Sequence, residues 1–117
     1  NLDSARLGVQ NLSNISCSGR KITVIGDMLE LGKKEEEYHL ELGRYLVDKK
    51  VDAVFAYGNL SQYAIRAMNG ANCFHQFYSD KKVLITDLKE YLQDGDVVYL
   101  KGSRGMKMED IITGLKT

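Results

Sequence analysis

The stretch 97–112, with the sequence VVYLKGSRGMKMEDII, decides the predicted fold. Its first four residues, VVYL, are apolar and predict a buried strand. A polar turn that contains two glycines follows at 101–105. Beyond the turn, apolar side chains recur at spacings of three and four, which predicts an amphipathic helix. The residues expected on its buried face are Met108, Ile111, Ile112 and Leu115.

The turn between strand and helix carries the candidate ligand-binding groups Lys101, Ser103 and Arg104. A helix start has unpaired backbone N–H groups and the positive end of the helix dipole. Two cations beside it would suit a carboxylate or a phosphate. The alternative, which the stretch alone leaves open, is that Ser103 only caps the helix and the cations are solvated.

Length and charge restrict the class of protein. The chain has 117 residues, which is typical of a single domain spanning 1–117. Lys plus Arg equals Asp plus Glu, at 16 each, so the charge balance favours neither nucleic acid nor an acidic membrane as partner. No apolar run is long enough to span a bilayer, and no signal peptide is recognisable.

The remaining sequence alternates strands and helices. Predicted strands lie at 21–26, 52–57, 73–78 and 97–100, and predicted helices at 2–12, 35–50, 60–69 and 80–92. The third strand is the most polar and is expected near an edge. This alternation predicts a mostly parallel sheet flanked by helices on both faces, a three-layer Rossmann-like α/β domain. Right-handed crossovers make 3-2-1-4 the simplest strand order.

In that order the winding reverses between the first and the last strand, and ligands bind outside the carboxyl ends of the strands at such a reversal. Asp27 follows the first strand and Lys101 follows the last. A carboxylate and a cationic turn are therefore expected to face each other. Asp27 could accept from ribose hydroxyls or help to hold hydrated Mg²⁺. Alternatively, it caps a turn or pairs with Lys101.

The other notable polar residues and glycines are expected to have structural roles. His39 flanks the apolar stripe of its helix and is expected to be a satisfied structural residue. His75 lies within a strand and is expected either to pack across strands or to lie at the surface. Glu30 is expected to be a solvated loop charge. Gly32 is expected to supply a positive φ, and Gly43 to permit close packing of its helix on the sheet. In the helix 2–12, the expected apolar face consists of Ala5, Leu7, Val9 and Leu12.

Several motifs are absent from the sequence. There is neither a G-x-x-x-x-G-K-[ST] phosphate loop nor a G-x-G-x-x-G fingerprint. No arrangement suggests nucleophilic catalysis, and the two histidines lack metal-ligand spacing. The cysteines, Cys17 and Cys73, are interpreted as reduced thiols of a cytosolic protein. The chain contains no proline. It begins with Asn rather than Met, which suggests a fragment of a longer protein or a processed chain.

Two motifs in combination resemble the C-terminal domain of the Mur ligase family. They are GDMLELG at 26–32, followed by a helix with His39 and Gly43, and KGSRGMKME at 101–109. The likeness is greatest to the member that adds D-alanyl-D-alanine to UDP-N-acetylmuramoyl-tripeptide in peptidoglycan precursor synthesis. Asn1 and the segment after it resemble the tail of the family's connection between domains, so residues 1–19 are expected to be an interdomain helix and loop.

The resemblance implies a three-domain cytoplasmic ligase that uses ATP and Mg²⁺, both bound mainly by a central domain. This chain would close over ATP and the incoming dipeptide, with the central and N-terminal domains as its partners. Asp27, and more weakly Asn1, would contact the nucleotide. Lys101, Ser103 and Arg104 would contact substrate, with His39 and Glu30 supporting them. The chain alone is expected to fold and to catalyse nothing.

The sequence admits three rival interpretations. The chain could belong to another Mur-like ligase, or it could be a non-catalytic module that binds a nucleotide or a partner. A response-regulator receiver domain has the same fold class and a similar length. That class needs a phosphoacceptor Asp after the third strand, whereas this strand ends in Tyr78-Ser79.

Overall fold

A computed structural model of the chain describes residues 1–29 and 32–117. The helices are α1 (Leu2–Asn14), α2 (Glu35–Asp48), α3 (Ser61–Ala67), α4 (Lys81–Tyr91) and α5 (Glu109–Leu115). The strands are β1 (Lys21–Gly26), β2 (Ala53–Tyr57), β3 (Phe74–Tyr78) and β4 (Val97–Lys101). Short 3-10 helices cover Gly32–Lys34 and Arg104–Met106. Every predicted strand and helix is present, with ends that differ from the prediction by at most two residues.

The four strands form one parallel sheet in the order β3-β2-β1-β4, which confirms the predicted order and the edge position of β3. Parallel neighbours need crossover connections, and helices supply them here. In the register of the sheet, Ile25 of β1 lies between Ala56 of β2 and Lys101 of β4. The carboxyl ends of β1 and β4 are therefore direct neighbours.

Helices cover both faces of the sheet, so the three-layer α/β architecture is confirmed. Successive residues of a strand point to opposite faces, and the two buried clusters divide accordingly. One cluster joins the sheet to α1, α2 and α3, and it includes Val9, Ile25, Leu42, Leu46, Val54 and Ala64. The other joins it to α4 and α5, and it includes Ile22, Val24, Phe55, Leu84, Leu88 and Ile111.

Three expectations about burial are wrong. Strand β4 is half-buried along its whole length rather than buried, because it is an edge strand. Leu7 is 60% exposed, since α1 turns Leu2, Ala5, Val9 and Leu12 inward and Leu7 lies on the opposite face. Ile112 is 44% exposed, because the buried side of α5 is fixed by its neighbour Ile111.

Gly43 does not pack against the sheet, contrary to the prediction. A Cβ at this position would overlap the backbone carbonyl of Ala64, so the glycine permits close approach of α2 to α3. Gly32 has φ +73°, as predicted, and a Cβ there would meet open space.

A corner at the amino ends of β1 and β4 is held by Arg20 and Asp96. The Asp96 carboxylate accepts from the Arg20 backbone N–H at 2.7 Å, from the Arg20 guanidinium at 2.8 Å and from the Gln93 N–H at 2.9 Å. The guanidinium also lies 3.9 Å from the centre of the Tyr91 ring. The Arg20 side chain and these N–H donors hold the pKa of Asp96 far below its usual range, and Asp96 raises the pKa of Arg20.

Helix α1 is part of the domain core, since Ala5 and Val9 are each 1% exposed. Its role as a connection between domains stays a prediction. Cys17 and Cys73 are free thiols, and burial raises the pKa of Cys73. Among the described residues, no helix combines the length and the apolar character that crossing a membrane requires.

Candidate functional site

The predicted convergence of the first and last strands is present in the structure. The chain leaving β1 and the turn after β4 are joined by two hydrogen bonds of Ser103. Its backbone N–H donates to the Asp27 carbonyl oxygen at 3.0 Å. Its Oγ accepts from the Leu29 N–H at 2.7 Å. Ser103 therefore links the two motifs. Its side chain forms a structural hydrogen bond with the Leu29 N–H, in addition to its candidate role in binding substrate.

Glycines make this close approach possible. A Cβ at Gly102 would lie 3.2 Å from the Cα of Gly26 and 2.8 Å from the Cγ of Met108. A Cβ at Gly26 would lie 2.6 Å from the Met108 sulfur. A larger residue at either position would have to displace the Met108 side chain, and at Gly102 it would also crowd the Gly26 backbone, so both glycines belong to the architecture of the site.

Asp27 is buried at this edge, with 6% of its surface exposed. Its Oδ1 accepts from the backbone N–H of Ser61 at 2.8 Å and from the Ser61 hydroxyl at 2.9 Å. Ser61 is the first residue of α3, so the carboxylate satisfies an unpaired N–H at a helix start and opposes the positive end of the helix dipole. The carboxylate therefore caps a helix rather than a turn. The hydrogen bonds of the described residues use Oδ1 only.

Lys101 does not pair with Asp27, so that alternative is wrong. Its Nζ donates to the Ser4 hydroxyl at 2.9 Å, in the first turn of α1. Asn1 caps the same turn, because its side-chain oxygen accepts from the Ser4 N–H at 2.8 Å. The structure thus brings Asn1 and Lys101, two residues predicted to contact ligands, to either side of Ser4.

Arg104 is exposed and begins the short 3-10 helix after the turn. Among the described residues it is a member of none of the ion pairs. Lys107, which ends this 3-10 helix, has the left-handed conformation with φ 49°. Because the Arg104 guanidinium is exposed and belongs to no ion pair among the described residues, it is available for a bidentate contact with a carboxylate or a phosphate.

His39 is fully buried beside the site, and both of its ring nitrogens are hydrogen-bonded. Its Nε2 accepts from the Met28 N–H at 2.9 Å, so the proton lies on Nδ1, which donates to the Glu35 carbonyl at 2.6 Å. The structure thereby gives His39 a supporting position, since it fixes the backbone immediately after Asp27. Glu30, the other predicted supporting residue, lies outside the described residues. His75 is in β3, which β2 separates from β1. Its Nδ1 contacts the Cys73 carbonyl.

Sequence reasoning missed Gly58 and Ser61. Gly58 has φ +113°, and a Cβ there would meet both the Asp27 carboxylate and the end of Met106. The segment Gly58-Asn59-Leu60-Ser61, directly after a predicted strand, was the available signal, since glycine and serine are common where a strand passes into a helix.

Lys81 was also missed. Together with Tyr57 and Asp110 it lines a cavity of about 620 Å³ beside the carboxyl ends of β2 and β3. The described residues contain no group of three His, Cys, Asp or Glu side chains that could hold a metal ion. The edge therefore offers a buried carboxylate, an exposed guanidinium and a lysine, and its two cations have the charge that would suit an anionic ligand.

Comparison with known proteins extends this description. Residues 1–104 match the family model described as "Mur ligase, glutamate ligase domain". The UDP-N-acetylmuramoyl-tripeptide–D-alanyl-D-alanine ligase of Bacillus subtilis is 37% identical over 116 residues, which cover 96% of this chain and 25% of that protein. The Escherichia coli ligase of the same name is 32% identical over 118 residues, which cover 99% of this chain and 25% of that protein.

Solved structures agree with the sequence relatives. A structure of MurF from Acinetobacter baumannii superimposes with a TM-score of 0.86 at 26% identity, over 98% of this chain and 26% of that one. MurF ligase from Thermotoga maritima, in complex with ADP, shares the fold with a TM-score of 0.82 at 24% identity, over 99% of this chain and 26% of that one. This chain spans about a quarter of the length of these relatives. The chain belongs to the Mur ligase family and corresponds to its C-terminal, glutamate ligase domain.

Proposed function

We propose that this chain is the C-terminal domain of an ATP-dependent ligase that forms an amide bond between UDP-N-acetylmuramoyl-tripeptide and D-alanyl-D-alanine, in peptidoglycan precursor synthesis in the cytoplasm. One observation carries the proposal. Two relatives named for this reaction match almost the whole chain at 37% and 32% identity. The exposed Arg104 beside a buried Asp27 supports it, because the reaction brings together a nucleotide, an acyl phosphate and a dipeptide carboxylate.

In this proposal the nucleotide contact comes from Asp27. Its Oδ1 is already engaged by Ser61, so the second carboxylate oxygen would accept from a ribose hydroxyl at the rim of the sheet. Asn1 is a weaker candidate, because its side-chain oxygen is used to cap α1. The chain has no phosphate loop. We therefore assign the triphosphate to the central domain of the parent ligase.

Mg²⁺ does not fit the residues of this domain. No metal-binding group of three side chains is found among the described residues, and half of the Asp27 carboxylate is committed to α3. We therefore assign the ion to the rest of the parent enzyme.

The turn 101–105 is proposed to face the reacting groups. The guanidinium of Arg104 matches the dipeptide carboxylate, and Lys101 would oppose negative charge on the acyl phosphate once it leaves Ser4. Ser103 would hold the turn, and its hydroxyl proton remains available to a ligand oxygen. Delivery of these groups by a separate domain would let them meet the acyl phosphate only after closure, which keeps water away. The domain alone is then inactive.

A domain exchange tests the proposal. Residues 1–117 replace the matching quarter of the Bacillus subtilis ligase, and phosphate release from ATP is measured with UDP-N-acetylmuramoyl-tripeptide and D-alanyl-D-alanine. We expect release that depends on both substrates, and none from residues 1–117 alone. A folded chimera that releases phosphate only with a different amine would assign the chain to another Mur-like ligase. A folded chimera that binds ATP but supports no amine would favour a non-catalytic module.

A further inference from the structure

Lys81 occupies an unusual position for a lysine. It is the first residue of α4, directly above the carboxyl edge of the sheet, and only 18% of its side chain is exposed. Its ammonium lies 5.4 Å from the centre of the Tyr57 ring, at the end of β2. Lysine is seldom buried to this extent unless its charge is paired, and a cation at the start of a helix opposes the helix dipole. The contacts of the ammonium are therefore expected to compensate.

Apart from the Tyr57 ring, the contacts of the ammonium lie in the segment that follows Arg104. The Lys81 Nζ donates to the Lys107 carbonyl oxygen at 3.2 Å and lies 3.3 Å from Oδ2 of Asp110. Lys107 has the left-handed conformation, and its own N–H donates to the Arg104 carbonyl at 3.1 Å. Left-handed backbone at a residue other than glycine is unfavourable and persists where its surroundings impose it. The Lys81 ammonium is one of those surroundings.

The turn that carries Arg104 is thus attached at two points. On its amino side, Ser103 is hydrogen-bonded to the Asp27 carbonyl and the Leu29 N–H. On its carboxyl side, Lys107 is bonded to Lys81, which belongs to a different helix. Arg104 lies between the two attachments and is exposed. Fixing the backbone on both sides restricts where its guanidinium can be placed.

We propose that Lys81 is a positioning residue of the ligase: it holds the left-handed Lys107 so that Arg104 is presented to the carboxylate of the incoming dipeptide. This role rests on the proposed function. Lys81 touches no substrate in this proposal and acts only through the turn. Its loss should therefore weaken dipeptide binding selectively and should leave ATP binding unchanged.

Three variants separate this positioning role from effects of a lost surface charge or of impaired folding. Lys81→Met removes the charge and keeps the length of the side chain. Lys81→Arg keeps the charge and the donors. Lys82→Met is the matched control, because Lys82 is also in the first turn of α4, carries the same charge and is exposed. Since α4 is anchored by Leu84 and Leu88, all three should fold, which a melting temperature close to that of the parent chain would verify.

The first measurement uses residues 1–117 and amide hydrogen exchange. The Met106 N–H donates to the Ser103 carbonyl and the Lys107 N–H to the Arg104 carbonyl, so both report on the turn. In Lys81→Met we expect their exchange to accelerate about tenfold, as for the loss of one hydrogen bond to a charged group. Lys81→Arg and Lys82→Met should stay near the parent rates. Unchanged rates in Lys81→Met would overturn the proposal.

The second measurement uses the chimeric ligase. Lys81→Met should raise the KM for D-alanyl-D-alanine about tenfold and leave the KM for ATP within about twofold, with rescue by Lys81→Arg. Equal increases in both KM values, or no change in either, would overturn the positioning role. If the parent chimera shows no dipeptide-dependent phosphate release, the proposed function fails, and the exchange rates still decide whether Lys81 holds the turn.

Discussion

The Asp27 carboxylate and Ser61 are bound to each other twice, through the Ser61 backbone N–H at 2.8 Å and its hydroxyl at 2.9 Å. The two residues are 34 positions apart and lie at the carboxyl edge of the sheet. This pair joins the end of β1 to the start of α3. A carboxylate that is a candidate nucleotide contact therefore also holds the fold together, and its two roles need variants that separate them.

Replacing Asp27 distinguishes these roles. Asp27→Asn keeps an oxygen at Oδ1, so the Ser61 bonds persist and the free energy of unfolding should fall by only about 0.3–1 kcal/mol, from the lost charge at a helix start. Asp27→Ala leaves the Ser61 N–H without its partner and should cost about 1–3 kcal/mol. Urea unfolding of residues 1–117 measures both.

Nucleotide binding is then read from the same variants in the chimeric ligase. If Asp27 contacts ribose, Asp27→Asn should raise the KM for ATP despite its nearly normal stability. Ser61→Ala is the control, because it removes only the hydroxyl and leaves the carboxylate charged. A KM for ATP that is unchanged in Asp27→Asn would restrict Asp27 to capping α3.

Replacing Arg104 tests its proposed contact with the dipeptide substrate. Because it is exposed and forms no ion pair among the described residues, Arg104→Ala should leave the stability of residues 1–117 unchanged within about 0.5 kcal/mol. In the chimeric ligase it should raise the KM for D-alanyl-D-alanine by tenfold or more, roughly the worth of a bidentate charged contact. The exposed Arg44 of α2 supplies a control in Arg44→Ala. If the KM for ATP rose more than the KM for the dipeptide, Arg104 would be assigned to nucleotide binding instead.

The convergence of Asp27 and the turn after β4 was predictable because it follows from topology. Alternating elements and right-handed crossovers leave few strand orders, and the order fixes which strand ends meet. The partners of Asp27 and Lys107 were not predictable in this way. Ser61 and Lys81 lie in other elements, and their contacts depend on helix placement rather than on any local pattern.

Helix faces were predicted less well than strand order. Ile112 lies four residues after Met108 and three before Leu115, so its spacing suits the buried face as well as that of Ile111, and only packing decides between them. Leu7 lies two residues from both Ala5 and Val9, a spacing that places it away from their face of the helix. Gly43 was correctly interpreted as a site of close approach, but the sequence does not indicate whether the facing surface is the sheet or another helix.

Gly43 makes the α2–α3 contact testable. In Gly43→Ala the new Cβ would overlap the Ala64 carbonyl, which is backbone and cannot rotate away. We expect a loss of about 1–3 kcal/mol in the free energy of unfolding, as for other overpacked sites. Gly70→Ala is the control: Gly70 has φ +87° with open space around it, so it carries a conformational penalty without a clash. A Gly43→Ala chain as stable as the parent would show that the helices can separate without cost.

His39 supports the backbone after Asp27, and its removal has a defined local effect. His39→Leu leaves the buried Met28 N–H without an acceptor and should cost about 1–3 kcal/mol, measured by urea unfolding. Amide exchange at Met28 should accelerate beyond what the lower stability explains. His75→Leu, in the edge strand, is the control and should cost less than His39→Leu. Equal losses in the two variants would mean that burial of a large side chain, and not the Met28 bond, is what His39 contributes.

The Arg20–Asp96 corner predicts how stability depends on pH. Because the Arg20 side chain and the backbone N–H groups of Arg20 and Gln93 lower the pKa of Asp96 in the folded chain, the folded state favours the ionised carboxylate. The stability that results is fully present above the unfolded pKa, about 3.9, and is lost as pH falls through the lower folded value. Arg20 stays charged throughout this range, since its pKa is raised, and adds no slope of its own.

Urea unfolding between pH 7 and strongly acidic pH tests this sign. Asp96→Asn should be less stable than the parent chain at pH 7, and the difference should shrink steadily below the ordinary carboxyl pKa. Asp94→Asn supplies the control, because Asp94 is an exposed carboxylate of the same turn and belongs to none of the ion pairs of the described residues, so its removal should leave the stability at pH 7 within about 0.5 kcal/mol of the parent chain. Parallel curves for the parent and Asp96→Asn would mean that Asp96 has an ordinary pKa in the folded chain, and that its contacts with Arg20 and Gln93 add no pH-dependent stability.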